Sequence, residues 1–346
     1  MSTKKDIRNL SSEQIQMFCL ENNLPKFRAT QLQEWIWKKR VTSFYDITSL
    51  PKNMRKLFDE YFVLNTVKIH SAERSLDKSI KYSLQLFDKK LVEGVLIPSS
   101  NRITACISSQ VGCSLDCNFC ATGTMKLERN LDIAEIYDQV YILNEEAISN
   151  FNRPISNIVY MGMGEPLLNY KNLLGSIELI TTNKGLGMSP KRITVSTAGI
   201  AKMIKKLGDD NVRFNLAISL HSASNNKRNV LMSINKRIDL SILRESIRYF
   251  FDKTGSRVTY EYILFNDVND SIADAKELVN FTKVSPCKIN LIEYNKVDGK
   301  KYTKSSNKNT QNFISFLEQK NIIVNLRKSK GKDIAAACGQ LVNKLQ

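Results

Sequence analysis

The chain has 346 residues, 42% of them hydrophobic, with seven cysteines and a formal charge of +17. It contains no apolar run of membrane-spanning length, and its N-terminus, "MSTKKDIRNLSSEQ", lacks the apolar core of a secretory signal, so neither a membrane protein nor a disulfide framework is expected. A cytoplasmic, reducing setting fits the cysteines, and the charge points to a polyanionic partner, most simply nucleic acid.

Residues 1–65 read as a small helical module. Ser11 and Gln14 form a capping-box pattern before "IQMFCL", and Pro25 stops that helix. "RATQLQEWIWKKR" places Leu32, Trp35 and Ile36 on one face, and "LPKNMRKLFDEYF" is a third helix. Cys19 falls at an apolar position and reads as a core thiol, and His70, just beyond, as a surface residue. Residues 66–98 change period. "SIKYSLQLF" alternates, Asp88, Lys89 and Lys90 turn, and "LVEGVLIP" returns, which predicts a β-hairpin connector.

From residue 99 to 333 strands and helices alternate. The strands are "ITACISS", "NIVYMGM", "RITVSTA", "RFNLAISLH", "RVTYEYILF" and "KINLIEYN", with a late "NIIVNLRKS". Segments such as "DIAEIYDQVYILNEEAI" and "SILRESIRYFF" supply helices between them. Six βα units predict a parallel sheet, doubly wound or closing toward a barrel. The absence of a glycine-rich dinucleotide turn after the first strand disfavours the doubly wound option. In such folds chemistry gathers at the C-terminal ends of the strands. Those ends carry the cysteine cluster, "GMGEP" (162–166), Ser196 with Thr197, "SLH" (219–221), and Asn295. One composite site is therefore expected.

"GCSLDCNFCATG" places Cys113, Cys117 and Cys120 within eight residues, with no fourth thiol to close a tetrahedral zinc site. The Cys-x3-Cys-x2-Cys spacing, with Phe119 before the third cysteine, resembles the signature of the radical S-adenosylmethionine (SAM) superfamily. In that superfamily three thiolates hold a [4Fe-4S] cluster and SAM takes the open iron. A zinc site completed by a distant residue is the alternative for the three cysteines alone. Gly162 and Gly164 would let backbone approach the ligand closely, and Glu165 would accept from the SAM amino group.

The resemblance extends further. "ACISSQVGC", "MGMGEPLLN", "ISLH", "PCKINLIEYN" and "DIAAACGQL", in this order, resemble the RlmN family, which methylates carbon 2 of adenine in 23S ribosomal RNA and transfer RNA. A sister family methylates carbon 8, and it has alanine where this chain has Pro166. Lys296 departs from the proline usual after the asparagine, which touches the loop 296–305.

The resemblance implies a partial (β/α)6 barrel of radical SAM type. Its core would span 99–333, and a C-terminal segment, 334–346, would carry the methyl-carrier cysteine. Cys113, Cys117 and Cys120 would hold the cluster. Gly164, Glu165, Ser196, Ser219, Leu220, His221 and Asn295 would bind SAM. Cys338 would carry the methyl group, Cys106 would resolve the covalent intermediate, and Glu93 would transfer a proton.

An adenine ring carbon is no nucleophile, so a thioether carrier and a second thiol are chemically reasonable, with two SAM consumed per turnover. Read alone, Cys338 and Cys106 would pass for core residues and Glu93 for a solvated strand carboxylate; Cys287 reads as structural. Residues 296–346 hold 11 Lys and Arg against three Asp and Glu, so this stretch and the helical module are the expected grips on RNA. The expected partners are 23S ribosomal RNA, transfer RNA and an electron donor such as flavodoxin or ferredoxin, with the enzyme a monomer. A carbon-8 methyltransferase and a non-catalytic RNA-binding relative are the competing readings.

Overall fold

The Ser11 hydroxyl accepts the Gln14 N–H, and the Gln14 side chain returns to the Ser11 N–H, so helix α1 (Ser12–Glu21) starts at a complete capping box. Helices α2 (Phe27–Trp37) and α3 (Lys52–Tyr61) close over it, as a computed structural model of residues 4–183 and 185–342 describes. Residues 343–346 of the expected C-terminal segment lie outside the described residues. The three helices bury a core of their own, in which Cys19, Leu32, Ile36, Phe44 and Phe58 are almost inaccessible to water. Several contacts fasten the module to the rest of the chain, among them the Trp37 ring 5.8 Å from that of Tyr137, and the most deeply buried centres on one carboxylate. Asp138 takes Arg8 and Arg40, each at 3.0 Å, and also accepts the Val67 N–H. Two charges so deeply buried persist only because the remaining lone pairs are also satisfied.

Ten strands form one sheet whose spatial order follows the chain: β1 (Lys68–Arg74), β2 (Ile80–Gln85), β3 (Leu91–Pro98), β4 (Ile103–Cys106), β5 (Asn157–Tyr160), β6 (Ile193–Thr197), β7 (Asn215–Ser219), β8 (Val258–Leu264), β9 (Cys287–Glu293) and β10 (Val324–Arg327). Strands β4 to β10 pair in parallel, whereas β1 to β4 are antiparallel. The expected hairpin is thus a three-stranded meander. Its first strand, β1, is almost wholly exposed along its length, so it lacks the apolar alternation that would have disclosed it.

Between the parallel strands run α4 (Ile133–Phe151), α5 (Tyr170–Thr181), α6 (Ala201–Asp209), α7 (Asn225–Leu231), α8 (Leu240–Thr254), α9 (Ile272–Thr282) and α10 (Asn307–Gln319). Parallel pairing requires such crossovers, and the helices cover one face of the sheet. That face is apolar: Ile158, Val195, Leu216, Ile218, Tyr260, Tyr262, Ile289 and Leu291 are buried in the main core. Each such side chain contributes roughly 1.5–3 kcal/mol when removed from water. Strand periodicity turns the alternate residues to the other face, which is left to line a concavity. No helix among the described residues is long and apolar enough to cross a membrane.

Candidate active site

The site is assembled at the C-terminal ends of β4 to β9. A cavity of about 880 Å³ is lined there by Cys113, Cys117, Cys120, Gly164, Glu165, Ser196, Ser219, His221 and Cys338. Residues expected from five separate stretches therefore meet around one volume.

The cysteine loop leaves β4 and turns back on itself. Gly112, at φ +75°, leaves no room for a side chain, since a Cβ would meet the Lys126 carbonyl at 2.0 Å. Gly123 is also packed closely, a Cβ there meeting the Cys117 carbonyl at 2.8 Å, which fixes the loop's depth. Burial raises the Cys113 thiol to about 11, and it raises Cys117 well above the ordinary thiol value, with repulsion from the neighbouring sulfurs adding to it. Three thiols so placed become thiolates when a cation neutralises them.

Among the described residues no three His, Cys, Asp or Glu side chains converge closely enough to grip one metal ion. A four-iron cluster takes each cysteine on a different iron, so its three ligands need not meet at one point. The donor set, three cysteines offered by one short loop, fits such a cluster with one open iron.

Behind the loop lies Arg228, 1% exposed. Its Nε and Nη atoms donate to the carbonyls of Leu220 (3.1 Å) and Ala198 (2.6 Å) and to the Asn235 side chain (2.8 Å), all of them neutral. Burial lowers its guanidinium to about 10, while attraction to Cys117 opposes that shift. Sequence reading missed Arg228. Nothing in its neighbourhood, "SASNNKRNVLMS", marked it as buried.

Glu165 caps a short turn of 3-10 helix. Its carboxylate accepts the N–H groups of Leu167 (3.0 Å) and Ala198 (2.8 Å), and burial raises it to about 7. The glycines before it line the cavity and also let a neighbouring loop come close. A Cβ on Gly162 would meet the Ile107 carbonyl at 2.6 Å, and one on Gly164 would meet Gln110 at 2.5 Å. The close approach is thus by the chain's own loop 107–110, whose Gln110 also accepts the Glu165 N–H at 2.8 Å.

The Ser196 and Ser219 hydroxyls lie 3.3 Å apart. His221 holds a left-handed backbone, φ +56°, fixed by the Asn269 amide on its carbonyl and by the Phe119 ring 4.8 Å from its own. Its Nδ1 accepts the Ile263 N–H, and burial lowers its pKa to about 3. The ring is therefore neutral with the proton on Nε2, so it can donate a hydrogen bond from that atom.

Two expected SAM residues do not line the cavity. Leu220 is fully buried and contributes its backbone, and Asn295 lies just past β9. The Asn295 amide is nevertheless buried with both polar atoms unpartnered, which is costly unless a ligand supplies the bonds. Glu165, the serine pair and this orphaned amide fit a ligand with amino, carboxylate and hydroxyl groups.

Cys338 lies on a strap tied down at several points. The Ala121 N–H donates to the Gly339 carbonyl at 2.7 Å, Thr122 Oγ1 to the Leu341 carbonyl at 2.6 Å, and the Val342 N–H to Glu93 at 2.9 Å. Asp333 accepts from Ser75 and Leu76 at the strap's start. Cys338 is exposed to solvent at the floor of a concavity, and its crowded surroundings raise the thiol while Arg327 pulls it back down.

A second pocket of about 630 Å³ holds Cys338 and Cys106 together, along with Met161, Ile292 and Arg327. Burial, then the neighbouring Cys338, raises the Cys106 thiol to about 12. Arg327 lies 3.5 Å from Glu261, and that carboxylate holds its guanidinium up against burial. Glu93 is not the solvated carboxylate that its position suggested. It is buried, 3.5 Å from Lys81, and burial raises its pKa. Cys287 and Cys19 lie away from both pockets, and His70 is exposed.

Comparison with known proteins agrees with this arrangement. Residues 107–279 match the Radical SAM superfamily, and residues 5–64 match the ribosomal RNA large subunit methyltransferase N-terminal domain. The chain is 51% identical over 341 residues to the probable dual-specificity RNA methyltransferase RlmN of Flavobacterium psychrophilum, covering 99% of this chain and 98% of the relative. It is 40% identical to the dual-specificity RNA methyltransferase RlmN of Campylobacter lari, over 99% and 98% of the two chains. A crystal structure of a radical SAM methyltransferase from Sphaerobacter thermophilus superposes with a TM-score of 0.90 at 33% identity, over 97% of this chain and 99% of that one. The chain therefore belongs to the RlmN family of radical SAM RNA methyltransferases.

Proposed function

We propose that this chain methylates carbon 2 of an adenosine in 23S ribosomal RNA and in transfer RNA, with Cys338 as the methyl carrier and Cys106 as the resolving thiol. The observation that carries the reading is that Cys338 lines both the cavity of the three cluster cysteines and the pocket of Cys106. One sulfur can then serve both halves of the reaction without the chain moving far.

Cys113, Cys117 and Cys120 would hold a [4Fe-4S] cluster, and Glu165, Ser196, Ser219, His221 and Asn295, with the backbone at Gly164 and Leu220, would hold SAM. Together these groups supply a 5′-deoxyadenosyl radical able to take a hydrogen atom from an unactivated carbon. The Cys338 thiolate first takes a methyl group from one SAM. Arg327 favours that thiolate electrostatically. After removal of a hydrogen atom from the S-methyl group, its carbon would add to carbon 2 of the ring; the adduct would return one electron to the bound redox group and give the ring proton to a base, leaving RNA joined to Cys338. The Cys106 thiolate would then attack the Cys338 sulfur, the carbon–sulfur electron pair would pass to the methylene carbon, which takes a proton to become the methyl group, and a Cys106–Cys338 disulfide would remain for external reduction. In the conformation described, Glu93 is engaged by Lys81 and the Val342 N–H, so it anchors the strap; proton transfer would require it to release Val342. A flavodoxin or ferredoxin would supply electrons.

The test is reconstitution of the protein with iron and sulfide under anaerobic conditions, followed by incubation with SAM, a reductant and unmodified RNA. Mass spectrometry of the digested nucleosides should report 2-methyladenosine. 8-Methyladenosine would identify the sister activity, and no methyladenosine with an intact cluster would leave only RNA binding.

A further inference from the structure

The concave face of the sheet is polar at the end remote from the cysteines. Successive parallel strands turn Thr104, Asn157, Thr194, Asn215, Thr259, Lys288 and Asn325 into a single cleft of about 1650 Å³. The register makes a ladder of them: Thr104 is opposite Asn157, Thr194 opposite Asn215, and Thr259 opposite Lys288. Asn290 and Asn325 form the next rung, with a 3.3 Å amide hydrogen bond between them. Two residues further along each strand, the same face carries Cys106, Val159, Ser196 and Glu261, and so leads into the active site.

Parallel strands are ordinarily apolar on both faces. Asn215 is held by the carbonyls of Lys191 and Ile193, but a polar first rung on every strand of one face departs from that rule and marks a surface that stays wet or meets a polar ligand. Arg102, Lys191, Lys288, Arg327, Lys328 and Lys330 surround the cleft, while its one acidic side chain, Glu261, is occupied by Asn290 and Arg327. The cleft is continuous with the Cys106 pocket through Ile97, Val159, Met161 and Arg327, which line both.

We propose that this cleft is the track of the RNA strand, entered from the N-terminal ends of the parallel strands. The cations take phosphates, and the Asn and Thr ladder takes base edges and ribose hydroxyls of unpaired nucleotides beside the target adenosine. The proposal rests on the RNA-methylating reading and gives that site its substrate path. Single-stranded RNA suits the cleft because its splayed bases and 2′-hydroxyls are what a row of amides and hydroxyls can bond. The basic segment 296–332 contributes less evenly than its charge suggests, since Lys304 and Lys332 are both held at 2.8 Å by Glu293.

The experiment uses the full chain and an unmodified RNA hairpin with a seven-nucleotide adenosine-containing loop, with affinity measured by fluorescence anisotropy across a salt series. Arg102→Gln, Lys191→Gln and Lys288→Gln are combined. A control neutralises three exposed lysines on the outer helices, Lys202, Lys253 and Lys276. The cleft variant should bind about tenfold or more weakly, with a log–log salt slope shallower by roughly 2, as expected for three lost single-strand phosphate contacts. The control should keep the parental slope. Iron content and melting temperature report on folding independently of RNA. Equal slopes for the cleft variant and the parent, or an equal loss in the control, overturn the track, as does a parent that fails to bind the hairpin. If the cleft variant loses affinity while the parent makes no methyladenosine, the methylation reading fails and the track stands.

Discussion

The N–H of Ala121 donates to the carbonyl of Gly339 at 2.7 Å, joining the residue after Cys120 to the residue after Cys338. The cysteine loop and the strap are thus bonded directly to each other, and the Thr122 hydroxyl on the Leu341 carbonyl reinforces the joint. Thr122→Val keeps the side-chain shape and removes that hydrogen bond. It should cost about 1 kcal/mol of stability. It should also slow methylation of Cys338 several-fold while leaving iron binding unchanged. Peptide mass spectrometry of Cys338 after incubation with SAM measures the loading. Normal loading would show that the joint does not position the sulfur.

Cluster binding is the second expectation. Cys117→Ala should abolish the visible iron–sulfur absorption and SAM cleavage. The protein should still melt cooperatively, because the loop is held independently by Gly112 and Gly123. Full methylation of RNA by this variant would rule out the radical reading.

Arg228 gives a prediction about folding rather than chemistry. Arg228→Met removes the donors to two strand-end carbonyls and to Asn235, leaving buried acceptors unpaired. Losses of this kind cost roughly 1–3 kcal/mol for each group. The melting temperature should fall by several degrees, and Arg228→Lys should recover only part of it, because an ammonium cannot reproduce the planar fork. An unchanged melting temperature would contradict the assigned network.

The contrast between Arg228 and Glu165 explains how far the sequence could be read. Glu165 follows a strand and two glycines, so its position at the rim is local information. Arg228 becomes a buried cation only because the ends of β6 and β7 turn their carbonyls toward α7, a tertiary fact with no local pattern. The seven parallel strands were visible as apolar runs, but β1 was not, since its exposed faces carry no alternation. The polar ladder was written in the strands as well: "NLAIS" alternates Asn215, Ala217 and Ser219 against Leu216 and Ile218. Its meaning needed the register that aligns one such residue from every strand. For Glu93 the sequence position was informative and its surroundings were not, because Val342, its partner, is distant in the chain.

Glu165 also sets a pH dependence. Burial raises its pKa from the ordinary 4.5 to about 7. Between these values the folded protein holds a proton that the unfolded chain has lost, so this group lowers stability as pH rises through that window. Binding of the SAM amino group requires the carboxylate, so SAM affinity should strengthen with rising pH and level off above about 7. Below that point the limiting slope is about one decade per pH unit. SAM-induced thermal stabilisation, compared at pH 6 and pH 8 on cluster-loaded protein, should therefore be larger at pH 8. Equal stabilisation would mean that Glu165 does not meet the amino group.

The paired thiols give the sharpest test. Cys106 and Cys338 share a pocket, yet the proposal gives them successive and unequal tasks. Without Cys338 no methyl group is carried, so no bond to RNA can form. Without Cys106 the carrier loads and the ring carbon is joined, but nothing attacks the Cys338 sulfur to release it. Cys106→Ala should therefore accumulate RNA attached to Cys338, seen as a slow-migrating band under denaturing conditions. The double variant with Cys338→Ala should give none. A purely structural Cys106 predicts otherwise: a 7% exposed thiol replaced by alanine would lose stability of order 1 kcal/mol and form no adduct. Turnover at the parental rate in Cys106→Ala, or a crosslink in the double variant, would remove these roles from the two cysteines.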